Sequence, residues 1–225
     1  MIMVNSLGKT YGKHVVLDGL SATFAPGNVY GIVGPNGAGK TTFFRCLANL
    51  AAFSGSIEAP ERQLRDRLGY LPTQNYFPEF MTGREYLRLL AHARRLPVPD
   101  LDAENVFELP LDNYASQYST GMQKKLALAG VLLQRNEVLI LDEPFNGVDI
   151  ASNLLISAII AELRRLGKTV LISSHVFSTL REVCDEILVL AEGRFRAPVR
   201  RAGFAELERE MVGMTTGGMV ERLTL

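Results

Sequence analysis

The segment Gly34-Pro35-Asn36-Gly37-Ala38-Gly39-Lys40-Thr41 constrains this chain more than any other feature. It fits the pattern GxxxxGK[ST]. An apolar run at 28–33 precedes it, and a helix-compatible run at 40–50 follows. Strand, glycine-rich loop and helix in that order commit the chain to an α/β layer architecture. The residue types match one chemistry. Glycines let the backbone curl until successive N–H groups face a polyphosphate. The helix that follows sets its positive N-terminal end at the same point. Lys40 can reach the β- and γ-phosphates, Thr41 can offer a hydroxyl to Mg²⁺, and Thr42 is placed at the α-phosphate. The competing reading is a glycine-rich turn of some other α/β fold. It makes Lys40 an ordinary surface lysine and leaves Gly34, Gly37 and Gly39 without a purpose.

A second constraint lies at 137–143, where Val138, Leu139, Ile140 and Leu141 lead into Asp142 and Glu143. Parallel sheets carry their chemistry at the carboxyl ends of strands. The acids and the phosphate loop are therefore expected at one edge. Asp142 would hold Mg²⁺ through a water. Glu143 would polarise an attacking water as general base, a role worth about 10²–10⁴ in rate. Taken alone, the two acids also read as a charged strand end before the Pro144 turn.

The rest of the chain reads as alternating strands and helices. Strands are expected at 2–7 and 15–24 around a turn at 8–14, then at 55–58, 67–71, 137–141, 169–173 and 186–190. Helices are expected at 84–95, 121–134 and 150–165, the last stopped by Gly167. Pro97 and Pro99 break the first of these. Between about 75 and 135 helices follow one another, which predicts a helical insertion. After Arg194 the pattern fades, with a short helix expected at 205–211. Arg194, Arg196, Arg200 and Arg201 form a basic cluster, read first as a solvated face and second as a contact for anionic lipid or a partner.

Composition trims the function classes. Lys plus Arg and Asp plus Glu number 24 each, so the chain lacks the basic excess of a nucleic-acid binder, and no nucleic-acid partner is expected. With 47% hydrophobic and 21% charged residues in 225, it can bury a sizeable core. Cys46 and Cys184 share no CxxC or ligand spacing and read as buried thiols of a reducing compartment. The apolar stretches at 126–133 and 154–160 fall far short of the roughly 18–20 residues of a membrane span. The start, Met1-Ile2-Met3-Val4-Asn5, has no basic n-region and is not expected to act as a signal peptide.

Five further elements follow in a fixed order. Tyr11 sits in the first turn. Gln74 ends Gly69-Tyr70-Leu71-Pro72-Thr73-Gln74. Then come Tyr118-Ser119-Thr120-Gly121-Met122-Gln123, Phe145-Asn146-Gly147-Val148-Asp149, and Ile172-Ser173-Ser174-His175. With the phosphate loop and the acidic strand, the set resembles the nucleotide-binding subunit of ABC (ATP-binding cassette) ATPases over about residues 2–196. The resemblance implies a P-loop NTPase (RecA-like) parallel-sheet core, an N-terminal antiparallel β subdomain and a helical insertion, all in one domain spanning 1–225 with a short tail from about 197.

It also implies roles. Tyr11 would stack on adenine, and Gln74 would sense Mg²⁺ and the transporter partner. Ser119, Thr120, Gly121 and Met122 would form the signature that binds ATP held by the other subunit. Asp149 would belong to the D-loop, and His175 would be the switch histidine at the γ-phosphate. Thr120 and Met122 stand where the family commonly has Gly and Gln, and Asn146 and Gly147 where Ser and Ala are common. Tyr118 and Met122 look similar to exporter-type subunits that work with separate permeases. His14 and His92 are read as structural.

The expected cofactors are ATP and Mg²⁺. The expected partners are an integral-membrane permease and a second ATPase, either another copy (a homodimer) or a relative. The expected location is the cytoplasm, peripheral on the inner face of the cell membrane through that partner. Tyr76, Phe77, Phe80 and Met81 are candidate docking residues, with core packing as their alternative. A soluble single-cassette ATPase of an assembly process stays open. A GTPase or kinase using the same loop is disfavoured by the 118–123 and 172–175 segments and by the lack of an NKxD element.

Overall fold

The computed structural model describes residues 1–59 and 63–216. The end of the expected tail, from 217, lies outside the described residues. Five strands form a parallel core: β3 (Val29–Val33), β5 (Leu68–Leu71), β6 (Val138–Asp142), β7 (Thr169–Ser173) and β8 (Glu186–Ala191). Their order is β8-β3-β7-β6-β5. The short β9 (Arg194–Phe195) and β10 (Val199–Arg200) pair antiparallel to β8. A separate antiparallel sheet has the order β2-β1-β4, from β1 (Ile2–Tyr11), β2 (His14–Phe24) and β4 (Ser54–Glu58).

The period of two in a strand explains how the sheet is covered on both faces. Leu139, Leu141, Val170, Ile172, Ile187 and Val189 point to one core, shared with α3 (Thr120–Leu133), α4 (Ile150–Arg165) and α5 (Phe177–Val183). Val138, Ile140, Leu171, Leu188 and Leu190 point to the other. There they meet Phe43 and Phe44 of α1 (Lys40–Leu47) and Leu7, Leu17 and Phe24 of the antiparallel sheet. Cys46 and Cys184 are both buried free thiols.

The insertion holds α2 (Gly83–Ala93) and α3. Thr82 and Glu85 close a capping box on α2. Arg84 clamps the loop beyond it by pairing with Asp102 and Asp112. At the far end of α2, Arg94 donates to Asp66 O, Leu68 O and Gln134 Oε1, which ties both helices to the edge strand β5.

Local expectations are refined at four places. The β1–β2 turn is only Gly12-Lys13, with Tyr11 opposite His14. Register shifts between Val4 and Thr10 break the alternation that would mark a strand, so the bulged end of β1 reads as turn. Helix α1 stops at Leu47 instead of 50. Asn49 takes φ 57, and the N–H groups of Asn49 and Leu50 return to Cys46 O and Arg45 O, a Schellman ending with asparagine in the left-handed position. The four arginines of the basic cluster each meet an acid: Arg194 Asp18, Arg196 Glu210, Arg200 Glu186 and Arg201 Asp185. The tail helix α6 (Phe204–Thr216) is longer than expected and packs Phe204 and Leu207 into the core.

Candidate functional site

The sheet order places the ends of β3, β7 and β6 side by side, so everything that follows those strands meets at one edge. A cleft of about 420 Å³ opens there. Its walls include Tyr11, Asn36, Gly37, Ala38, Gly39, Lys40, Thr41, Thr42, Asp142, Glu143 and His175.

The phosphate loop follows β3. Gly39 sits at φ 103 and serves as N-cap of α1 with no side chain to offer. The first amides of the helix are thus left to a ligand, and the left-handed turn suits glycine alone. Lys40 folds back, its Nζ donating to Gly34 O at 2.7 Å and Pro35 O at 3.1 Å. Burial pulls its pKa below the usual lysine value, against the opposing pull of Glu143 and Asp142. Two of its three donors are used on carbonyls, and the third is left for an anion.

The acids follow β6. Asp142 Oδ2 accepts from Thr41 Oγ1 at 2.7 Å, and Oδ1 accepts from Ser173 Oγ at 2.6 Å. Glu143, 6% exposed, takes φ 55. Glutamate is uncommon in this left-handed conformation, which Glu108 and Glu192 of this chain also adopt, and only Glu143 of the three is buried. Its carboxylate Oε2 accepts from His175 N at 3.2 Å. His175 Nε2 stands 3.1 Å from Oε1 without forming a hydrogen bond, so Oε1 is a buried acceptor with no partner. Burial lifts the Glu143 pKa above the ordinary carboxylate range. His175, its backbone N–H and Lys40 oppose the rise, and Asp142 adds to it. A buried carboxyl with a free lone pair, set at the edge of a phosphate-sized cleft, can hold a water and take its proton.

Other expected residues lie outside the cleft. Gln74 is exposed, and it is its neighbour Thr73 that joins the wall. Ser119 caps α3 by accepting from Met122 N, away from the phosphate loop of the same chain. Thr120, Gly121 and Met122 make the first turn of that helix. A side chain on Gly121 would come within 2.8 Å of Gly147 O, so this turn sits directly on the D-loop. Asp149 caps α4 and pairs with Lys125 of α3 at 3.0 Å. These contacts hold its carboxyl well below the usual range.

Three residues escaped the sequence reading. His14 lines the cleft beside Tyr11. A two-residue hairpin would have placed it there, had the turn been read as short. Lys124 is 3% exposed and donates to Pro72 O and Thr73 O at 3.2 and 2.8 Å. It joins the signature helix to the segment that ends in Gln74. Its helical neighbours gave no sign that this lysine, and not Lys125, is the buried one. Ser173 touches both acids and was read only as part of the strand leading to His175.

Among the described residues, no helix is long and apolar enough to cross a membrane. Tyr76 and Phe80 are 85% and 75% exposed, whereas Phe77 is buried against Tyr86.

Comparison with known proteins agrees with this geometry. The family model described as "ABC transporter" matches residues 17–146. An uncharacterised ABC transporter ATP-binding protein of Nostoc sp. is 32% identical over 86% of this chain and 64% of its own length. The Nod factor export ATP-binding protein I of Paraburkholderia xenovorans is 36% identical over 86% of this chain and 68% of its own. The corresponding Sinorhizobium fredii protein is 34% identical over 86% and 61%. The chain thus spans about two thirds of the length of these relatives. A solved ATP-binding subunit of an ABC transporter superposes with TM-score 0.82 at 26% identity, over 96% of this chain and all of that one. An ATP-binding cassette solved as a dimer with ADP and Pi shares the fold at TM-score 0.80 and 20% identity, over 89% of this chain and 99% of its own. With a family model across more than half its length and these relatives beside it, the chain belongs to the ABC transporter family.

Proposed function

We propose that this cassette energises a membrane transporter, of the exporter type, by ATP-driven head-to-tail dimerisation. The observation that carries the reading is the separation of its two phosphate-binding devices. The loop at Gly34–Thr41 and the acids share one cleft, while the N-terminal turn of α3, with Ser119 and Gly121, lies outside it. One copy therefore holds half of a sandwich, and a second copy turned head to tail would supply the other half. The Nod factor export relatives support the exporter class. The dimeric cassette with the same fold supports the sandwich.

Within each site Tyr11 would stack on the base, the loop from Gly34 to Thr42 would cradle the phosphates, and Lys40 would meet the β- and γ-oxygens. Thr41 Oγ1 and Asp142 Oδ2 are hard oxygens that lie side by side, joined by a 2.7 Å hydrogen bond. Two protein oxygens completed by phosphate and water are a donor set that fits Mg²⁺, with Gln74 entering from the exposed rim. Bound there, Mg²⁺ would neutralise charge on the β- and γ-phosphates. Glu143 would take the proton of the attacking water at Oε1, and His175 would face the γ-phosphate. Asp149 would support the D-loop at the seam between copies.

The permease would be a separate chain. It would hold this one at the inner face of the membrane, with Tyr76, Phe80 and Met81 as its contacts. The test is a Glu143→Gln variant mixed with ATP and sized by light scattering after gel filtration. A stable dimer that dissociates when ATP is withdrawn is the expected result. Monomer with ATP bound would overturn the sandwich.

A further inference from the structure

We propose that Ser173 is a positioning residue of the hydrolytic site, a hydroxyl that orients both acids at once. The inference rests on the reading that ATP is hydrolysed at Asp142 and Glu143. It starts from register. In the parallel pairing of β6 with β7, Asp142 stands opposite Ser173. Residues 138 and 140 face the α1 side of the sheet, as does Leu171, so Asp142 and Ser173 both project toward α1 and Thr41.

Ser173 is fully buried. Its Oγ donates to Asp142 Oδ1 at 2.6 Å and accepts from Glu143 N at 3.0 Å. A hydroxyl has one proton, and a carboxylate and an N–H leave only one way to share it. The proton points at Asp142, and a lone pair meets the amide. Two consequences follow. With Oδ1 occupied, Oδ2 is the oxygen turned toward Thr41. With its N–H held, Glu143 is fixed in the left-handed conformation that aims its side chain at the cleft. Two residues further on, His175 N binds Glu143 Oε2. The end of β7 thus grips Glu143 at its amide and at its carboxylate, and Ser173 supplies the first of these grips. The adjacent Ser174 is also buried, but its hydroxyl bonds only the backbone of Val176.

The experiment compares Ser173→Ala, Ser173→Cys and Ser173→Thr with wild type, Ser174→Ala and Glu143→Gln. It measures kcat for ATP hydrolysis, affinity for a fluorescent ATP analogue, and Tm. Loss of the hydroxyl is expected to lower kcat about 10–100-fold, the scale of a misplaced reacting group. Nucleotide affinity should stay within roughly three-fold, because the phosphate loop is untouched. Thr should restore most of the rate, and Ser174→Ala should keep it. Cys preserves the shape but is a weak donor, so it carries the test should the Ala variant not fold. Turnover within three-fold of wild type in a folded Ala or Cys variant would overturn the proposal. So would equal loss of affinity and rate, or a folded Thr variant as slow as Ala. An inactive wild type, or an active Glu143→Gln variant, would overturn the underlying reading instead.

Discussion

Glu143 combines three features that rarely meet in one glutamate: burial, a backbone in the left-handed region, and a carboxylate oxygen that accepts no hydrogen bond, with His175 Nε2 3.1 Å away. Water would solvate this carboxylate better than its surroundings do, which is why its pKa rises. A group whose pKa is higher folded than unfolded favours the native state while protonated and works against it once ionised. Glu143→Gln removes that ionisation. Its Tm should therefore exceed wild type at alkaline pH. The gap should close as the pH falls through the raised pKa of the wild-type residue, and calorimetry over a pH series checks it. The same rise places the acid limb of the wild-type pH–rate profile above the range of an exposed glutamate. These properties could not be read from Asp142-Glu143-Pro144 alone. The sequence marks the acids, but the contacts that hold Glu143 buried, among them those with Ser173 and His175, come from chain distant in sequence.

At the scale of elements, α3 is the connecting piece. Its N-terminal turn carries the proposed signature, Lys125 meets Asp149 of the proposed D-loop, and Lys124 holds the backbone before Gln74. Among the described residues, the hydrogen-bond partners of the buried Lys124 ammonium are two carbonyls, and burial lowers its pKa. Lys124→Met keeps the stem and removes the donors, leaving two carbonyls to find water or go unpaired. The unpaired groups should lower Tm by about 5–10 °C. Limited proteolysis should then cut faster near residues 72–76. Unchanged cleavage there would show that the segment is held by something else. Helix existence was legible from the helical spacing of Tyr86, Leu87, Leu89, Leu90 and Ala93, although Leu89 and Ala93 prove to be exposed. Boundaries were less legible, because they depend on caps such as Asn49 at the end of α1 and on bulges that hide the end of β1.

For the whole molecule, the α/β class and the largely parallel sheet followed from the alternation of strands and helices. What pattern could not show is the split between residues that meet within one chain and residues that do not. Tyr11, Lys40, Asp142 and His175 converge across more than 160 positions of sequence because the strand order brings their loops together. The signature stays outside that convergence. Nor could pattern separate Phe77, which packs inward, from Tyr76 and Phe80, which do not. Two aromatic side chains so open to solvent are suited to a partner surface. A Tyr76→Ala/Phe80→Ala double variant should fold and bind ATP as wild type does. It should lose the polytopic membrane protein expected to co-purify with the tagged chain from solubilised host membranes. If it retains that protein in full, the docking surface lies elsewhere.

The Arg94 fastening gives the insertion the mechanics of a lever. The C-terminal ends of α2 and α3 are pinned together against the sheet edge, Arg94 reaching the chain at Asp66 and Leu68 and the end of α3 at Gln134. The opposite end of α3 carries Ser119, about 20 Å away at 1.5 Å per residue. A turn of about 5° about the pinned end sweeps the signature through nearly 2 Å, on the order of the difference between a made and a broken hydrogen bond. Lys124 sits on that arm, so the backbone it holds would be carried along by any such turn. Because the guanidinium grips carbonyl dipoles and an amide instead of a carboxylate, the pivot should hold its stiffness when ionic strength changes.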